Sequence, residues 1–378
     1  ALKIFASVII FIFLIPYTAS LYNGLSRLFG MAFDIDYSVC ILLMAILTAI
    51  YVIAGGYMAT AINDFIQGII MLVGISVIIV AVLKTKGGFM AALDGLARIQ
   101  DDKVATTPGI FSSFFGPDPL NLMFVVLLTS LGTWGLPQMV QKFYAIKNED
   151  SIKKGTIIST LFALVVAGGC YFLGGFGRLF TDVLNVGANG IPEGGYDAII
   201  PAMLSTHSPA LIALVVVLVL SASMSTLSSL VIASSSTLTI DFIGGLKKKA
   251  LPEKTQVFII RVLIVVFIAI SAVIALVQYK SNVTFIAQLM GVSWGALAGA
   301  FLAPFLYSLY WKKVTKASCY VCFTFGSLLM VYNMLFRSTM PVIMQSPINC
   351  GVIAMTAGLV IVPVVSLFTK KPDSSLVE

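Results

Sequence analysis

Charge is what this chain has least of. Asp, Glu, Lys and Arg make up 10% of its 378 residues, against about 25% in soluble domains. Histidine occurs once, at His207 in a loop, where it reads as a surface residue. A single histidine excludes a His-Glu-x-x-His metal site and leaves no workable Ser/His/Asp set. No phosphate-cradling glycine loop opens a helix either, so an enzyme is the least supported class. Cysteine is also sparse: Cys40, Cys170, Cys319, Cys322 and Cys350, all in or beside apolar runs. Cys319-Tyr-Val-Cys322 has metal-like spacing but no second pair and no nearby histidine, so these thiols read as packed or lipid-facing. The first residue is Ala1, with no signal peptide before it, and the chain is read as a fragment lacking an N-terminal part.

What is abundant is apolar sequence. The chain is 59% hydrophobic, with a mean hydropathy of +1.04. This is an integral membrane protein built from helices. Ten apolar runs have membrane length: 4–28, 38–55, 60–83, 120–145, 156–178, 209–242, 256–278, 283–310, 317–337 and 347–369. Their order sorts the loops and ends into two sets. One set, from Lys3 to Lys370 and Lys371, holds 15 of the 23 basic residues; the other holds 8, four of them in the long connection 84–119. The positive-inside rule then places both ends in the cytoplasm and the protein in the cell membrane. The basic surplus is a matter of topology and does not suggest nucleic acid. Connections 84–119 and 179–208 fall outside the cell. The first holds the amphipathic pattern GGFMAALDGLARI. The second holds turn formers Gly190, Pro192, Gly194 and Gly195, then YDAIIPAML. Each is expected to carry a short helix. Asn282-Val-Thr284 fits a glycosylation triplet but lies close to the membrane.

The most unusual run is 209–242. As a helix it would be roughly 50 Å long, more than a bilayer core. Its middle is crowded with Ser and Thr. Ala222, Ser225, Thr226 and Ser229 share one helical face, and Ser228 lies about one turn from Ser225. A backbone carbonyl and several hydroxyls on one face are the ligands a small hard cation chooses. Close helix packing through small residues explains the same pattern, and the spacing leaves both readings open.

Two runs look interrupted. Gly132, Gly135 and Pro137 fall within 120–145, beside the polar residues Thr129, Ser130, Thr133, Trp134 and Gln138. Gly291, Gly295, Gly299 and Pro304 fall within 283–310. Proline and glycine weaken helices, and broken helices at membrane depth mark transporter substrate sites. Asp64 lies inside the run 60–83, about one turn from its expected cytoplasmic end. Its sign suits a cation or proton; a helix N-terminal acid is the other reading.

Four stretches carry a resemblance to a known family. SASMSTLSSLVIASSSTLTIDF looks like the signature helix of the sodium/solute symporter family, and AGGYMATAINDFIQGIIM resembles its acid-then-Gln motif. SLGTWGLPQMVQKFYA resembles its broken substrate helix. VSWGALAGAFLAPFLYSLYWKKVTKAS is close to the matching helix of the proline and pantothenate branch. The resemblance implies an all-α, LeuT-type bundle of inverted repeats in one transmembrane domain over 1–378, with the first two core helices absent. It implies a common sodium site from Ala222, Ser225 and Thr226, and a second from Asp64, Ser225, Ser228 and Ser229. It further implies solute-binding or gating roles for Ser130, Thr133, Trp134 and Gln138, and for Gln288 and Trp294 on the facing helix. Where the proline branch has a Tyr-Phe-Gly-Gln-Pro-like run, this chain has Thr133-Trp134-Gly135-Leu136-Pro137.

The expectation is a sodium-coupled symporter that imports a small organic solute, an amino acid such as proline or a carboxylate, by alternating access. Sodium is the coupling ion, with no organic cofactor. The partners are the solute, sodium ions and the bilayer, and the protein is a monomer. A passive channel and a sensory or scaffold module are the rival readings.

Overall fold

The computed structural model describes residues 2–100, 107–144, 146–183, 192, 195–247, 251–281 and 286–370. Several features read from the sequence lie outside these: Gly190, Gly194, Asn282-Val-Thr284, Lys103, Lys248, Lys249 and Lys371. The helices, in chain order, are α1 (Leu2–Phe33), α2 (Tyr37–Gly56), α3 (Met58–Thr85), α4 (Phe89–Arg98) and α5 (Pro119–Ser130). Next come α6 (Pro137–Phe143), α7 (Glu149–Gly175), α8 (Ile199–Ser205) and α9 (Pro209–Thr237). The last four are α10 (Glu253–Ser281), α11 (Ile286–Tyr310), α12 (Lys316–Phe336) and α13 (Pro347–Phe368). Among the described residues, nine helices are long and apolar enough to cross a membrane, and the bent pair of α5 and α6 makes a tenth span. The protein is a multi-pass membrane protein.

Caps explain where several helices outrun the apolar pattern. Asn148 accepts from the Ser151 amide at 2.9 Å, and Glu149 and Asp150 follow in the first turn, where the helix dipole favours acids. The helix therefore starts at Glu149, seven residues ahead of the apolar run. Asp36 caps α2 by accepting from the Ser38 amide at 2.8 Å. The chain turns from α2 into α3 at Gly56, the last residue of α2, at φ 61° and ψ −171°. That left-handed φ is cheap for glycine alone. It removes the loop expected there, so α3 begins at Met58 and Asp64 lies nearly two turns in.

The contacts divide the chain into two compact units. The first comprises Ala1–Ser20, Met123–Ala145 and Ser229–Glu378; the second comprises Leu21–Leu122 and Ile146–Ser228. The first is built on a glycine seam. A Cβ on Gly295 would lie 2.6 Å from the Gly351 Cα, and one on Gly299 would lie 2.8 Å from the Ala354 Cβ. A Cβ on Gly326 would collide with the Gly299 carbonyl carbon and lie 2.6 Å from the Ala300 nitrogen. Backbone thus crosses backbone where α11, α12 and α13 meet, as small residues permit in membrane helices. This corrects the expected interruption of 283–310. Gly291, Gly295 and Gly299 sit inside one continuous helix, buried at its crossings, and Pro304 is accommodated within it. The Cys322 thiol meets the Gly299 carbonyl at 3.3 Å, a packed thiol rather than a metal ligand.

The second unit packs α3, α7, α8 and the start of α9 around Ile75, Ile78, Val82, Leu173, Met203, Leu204 and Val215. Gly74 admits Leu218, and Gly169 admits Ile75 and Ile79. Arg27 at the end of α1 reaches Asp197 at 3.9 Å, which ties down the 3-10 turn Tyr196–Ala198 ahead of α8.

Candidate functional site

The Ser-rich face of α9 keeps the geometry its spacing implies. The helix runs unbroken from Pro209 and passes into a π-helical stretch, Leu238–Ile243. The Thr226 hydroxyl donates to the Ala222 carbonyl at 3.0 Å. A sodium ion resembles calcium in size and holds oxygens at about 2.3–2.6 Å. Two oxygens 3.0 Å apart fit one edge of such a shell. The bond also parks the hydroxyl proton on the carbonyl, which leaves the Thr226 lone pairs for a ligand. Ser228, 2% exposed, donates to the Ser225 carbonyl at 3.0 Å. Ala222, Ser225, Thr226 and Ser228 belong to the second unit, and Ser229 is the first α9 residue of the other.

Asp64 belongs to the second unit too. It is half-buried on the face of α3 that also carries Thr60 and Gln67, 8% and 5% exposed, at i, i+4 and i+7. The link between α3 and α9 is a residue that sequence spacing gives no reason to choose. Tyr51 of α2 donates from its hydroxyl to the Met224 carbonyl at 2.9 Å, one residue before Ser225. Asp64 lies close enough to Tyr51 to act on it electrostatically. A cavity of about 420 Å³ opens here, lined by Tyr51, Gly55, Thr60, Asn63 and Met224 among others. Its lining offers the hydroxyls of Tyr51 and Thr60, the Asn63 amide and backbone carbonyls. That chemistry fits a hard monovalent cation, and among the described residues no cluster of His, Cys, Asp and Glu suits a transition metal.

The broken helix belongs to the first unit. α5 ends at Ser130, a 3-10 turn covers Gly132–Gly135, and α6 starts at Pro137 after a bend of 52°. Leu136 takes the extended conformation that a following proline imposes, and Pro137 stands where a helix needs no amide donor. Gly135 is demanded by closeness: its Cβ would lie 2.9 Å from the Leu302 nitrogen and 3.0 Å from the Ala298 Cα. So the break is pressed directly against α11. Ser130 donates to the Val126 carbonyl, Thr133 donates to the Ser130 carbonyl at 2.7 Å, and Trp134 is 55% exposed. Gln138 is different. It is 4% exposed, and neither amide atom has a hydrogen-bond partner among the described residues.

On α11 the two expected residues part company. Trp294 is buried and meets the Tyr17 ring edge-on, centroids 5.6 Å apart. Gln288 accepts from Arg337 at 3.2 Å, and Arg337 also holds the Gln345 carbonyl at 2.8 Å. Six residues along a helix are roughly 240° around it, so Gln288 and Trp294 occupy different faces. Gln288 serves a polar clamp between α11 and the end of α12, and Tyr17 joins Trp294 in its place. Tyr17 follows Pro16 in a run that spacing marked only as apolar.

The sequence model of the Sodium:solute symporter family matches residues 1–326. Sodium/proline symporters of Staphylococcus aureus, including those of strains JH9 and Newman, are each 30% identical over 338 residues. The match covers 87% of this chain and 62% of each relative, so the chain spans less than two thirds of their length. The fold is similar to that of a Na+-coupled sialic acid symporter solved in a substrate-bound outward-open state. The TM-score is 0.71 at 17% identity, over 98% of this chain and 75% of that one. With the family model matching residues 1–326 and relatives at 30% identity, the chain belongs to the sodium:solute symporter family.

Proposed function

We propose that this chain is part of a sodium-coupled symporter that imports a small organic solute by alternating access. The observation that carries the reading is the oxygen set on α9, Ala222 with Ser225 and Thr226, beside the Met224 carbonyl that Tyr51 holds. Sodium bound at Ala222, Ser225 and Thr226 favours the state that accepts solute. Asp64, Ser225, Ser228 and Ser229 form a second sodium site. Coupling requires that each ligand prefer one state over the other. The buried, unpartnered Gln138 amide supports a solute site at the break, with Ser130, Thr133, Trp134 and Trp294 around it. Gln288 is the weakest member, because Arg337 already engages it.

The solute is an amino acid such as proline, or a carboxylate. Relatives at 30% identity named sodium/proline symporters support proline first, although Thr133-Trp134-Gly135-Leu136-Pro137 differs from that branch's run. The protein is a monomer in the cell membrane, with both ends of this chain cytoplasmic and connections 84–119 and 179–208 outside. The 15-to-8 split of basic residues supports that orientation.

The test is uptake by cells expressing the gene, with labelled proline, other amino acids, monocarboxylates and sialic acid, each in sodium and in choline. Sodium-dependent accumulation above the external concentration supports the symporter and names the solute. Uptake that equilibrates without sodium means a channel instead. An Asp64→Asn variant with an unchanged charge-to-solute ratio and sodium affinity removes the second sodium site.

A further inference from the structure

The connection between α3 and α5 has a composition that suits water poorly. From Val104 to Pro117, fourteen residues in a row, nothing is charged. Yet this stretch presents two large aromatic side chains outward: Phe114 is 90% exposed and Phe115 62% exposed. They stand edge-to-face, ring centroids 5.1 Å apart. Phe111, three residues earlier, faces the other way. It packs on the cluster of Leu83, Ala92, Leu96 and Phe176, and the Arg178 guanidinium lies 4.1 Å from its ring centre.

Much of the turn that carries the pair is internally hydrogen-bonded. Gly109 takes a left-handed φ of 79° and its amide donates to the Ala97 carbonyl of α4 at 3.1 Å. Amides of Ser112, Ser113 and Gly116 donate to the carbonyls of Gly109, Ile110 and Ser113, and the hydroxyls of Ser112 and Ser113 bond within the same turn. Turns that keep their polar groups engaged enter a low-water layer at little cost. Pro119, the first residue of span α5, follows five residues after Phe114. Beyond the exposed Asp118, which caps that span by accepting from the Asn121 amide at 3.0 Å, exposed apolar surface resumes at Leu120 and Leu122.

From this the geometry points to a membrane-interface anchor: Phe114 and Phe115 insert into the headgroup–acyl boundary of one leaflet, held there as a rigid wedge by Phe111 and Arg178. The partner is the lipid surface itself. Phenylalanine, like Trp and Leu, buries at the headgroup–acyl boundary in interfacial segments, and a second protein would have to sit beside the span at the same depth to cover the pair.

The experiment introduces an indole at each position, Phe114→Trp and separately Phe115→Trp, in full-length protein reconstituted into phosphatidylcholine vesicles. The emission of the unsubstituted protein is subtracted, and quenching is compared between plain lipid, lipid brominated high on the acyl chain, and aqueous acrylamide. The added emission should lose at least half its intensity to brominated lipid and respond weakly to acrylamide. Quenching by acrylamide and not by brominated lipid at both positions would place the pair in water and overturn the anchor. Quenching by neither would mean a protein cover, from a second copy or another partner, and would overturn it equally. A Glu149→Trp variant, at the exposed charged start of α7, calibrates the aqueous response.

Discussion

At the scale of single residues, four side chains separate a transport site from mere packing. Ser225→Ala or Thr226→Ala removes one cation ligand each. Interactions with a charge are worth about 1.5–3 kcal/mol, so the sodium concentration for half-maximal uptake should rise roughly tenfold to a hundredfold. Unchanged sodium dependence would return the Ser-rich face to packing. Tyr51→Phe deletes only the hydroxyl that holds the Met224 carbonyl. A neutral hydrogen bond contributes about 1 kcal/mol, which predicts a several-fold higher sodium requirement with solute specificity intact. Gln138→Leu tests the other pole. An unpartnered buried amide costs an empty protein about 1–3 kcal/mol, so leucine should raise the thermal midpoint while solute affinity falls by about tenfold or more. A lower midpoint with normal affinity would mean that Gln138 is structural. Sequence patterning singled out Ser225, Thr226, Asp64 and Gln138 as candidates. Tyr51 and Tyr17 were illegible because their partners lie 173 and 277 positions away, and no local pattern encodes such a meeting.

At the scale of the helix, glycine carries two opposite messages, and sequence alone does not distinguish them. In 120–145 it accompanies a proline and a real break, since Pro137 removes an amide and forces Leu136 to extend. In 283–310 the same letter marks crossings within an intact helix, where the missing side chain is used by a neighbour's backbone. Apolar periodicity located all ten spans but missed the ends set by polar caps, as at Asn148, and the turn at Gly56. The seam reading predicts that Gly326→Ala is severe. Its Cβ would strike backbone of α11, which cannot yield as a flexible side chain does. Overpacking costs about 1–3 kcal/mol and more when backbone must move, so yield and thermal midpoint should drop. Gly155→Ala on α7, with nothing within 4 Å of the added carbon, serves as the comparison and should be neutral or stabilising by about 0.5–1 kcal/mol.

At the scale of the whole molecule, orientation is the property that sequence argues best and coordinates least, because charge bias reports an insertion history that no intramolecular distance records. Single cysteines introduced as Lys153→Cys and Asp182→Cys, treated with a membrane-impermeant maleimide on intact cells, should label only at 182. The reverse pattern would invert every loop.

The glycine seam also fixes where the molecule is slowest. Amides exchange with solvent only when their helix opens, and an opening of α11 must also lift α12 and α13, whose main chains touch it. In deuterium, the buried stretch from Gly291 to Pro304 should therefore be among the last to gain mass, long after the exposed connection around Ser112–Gly116.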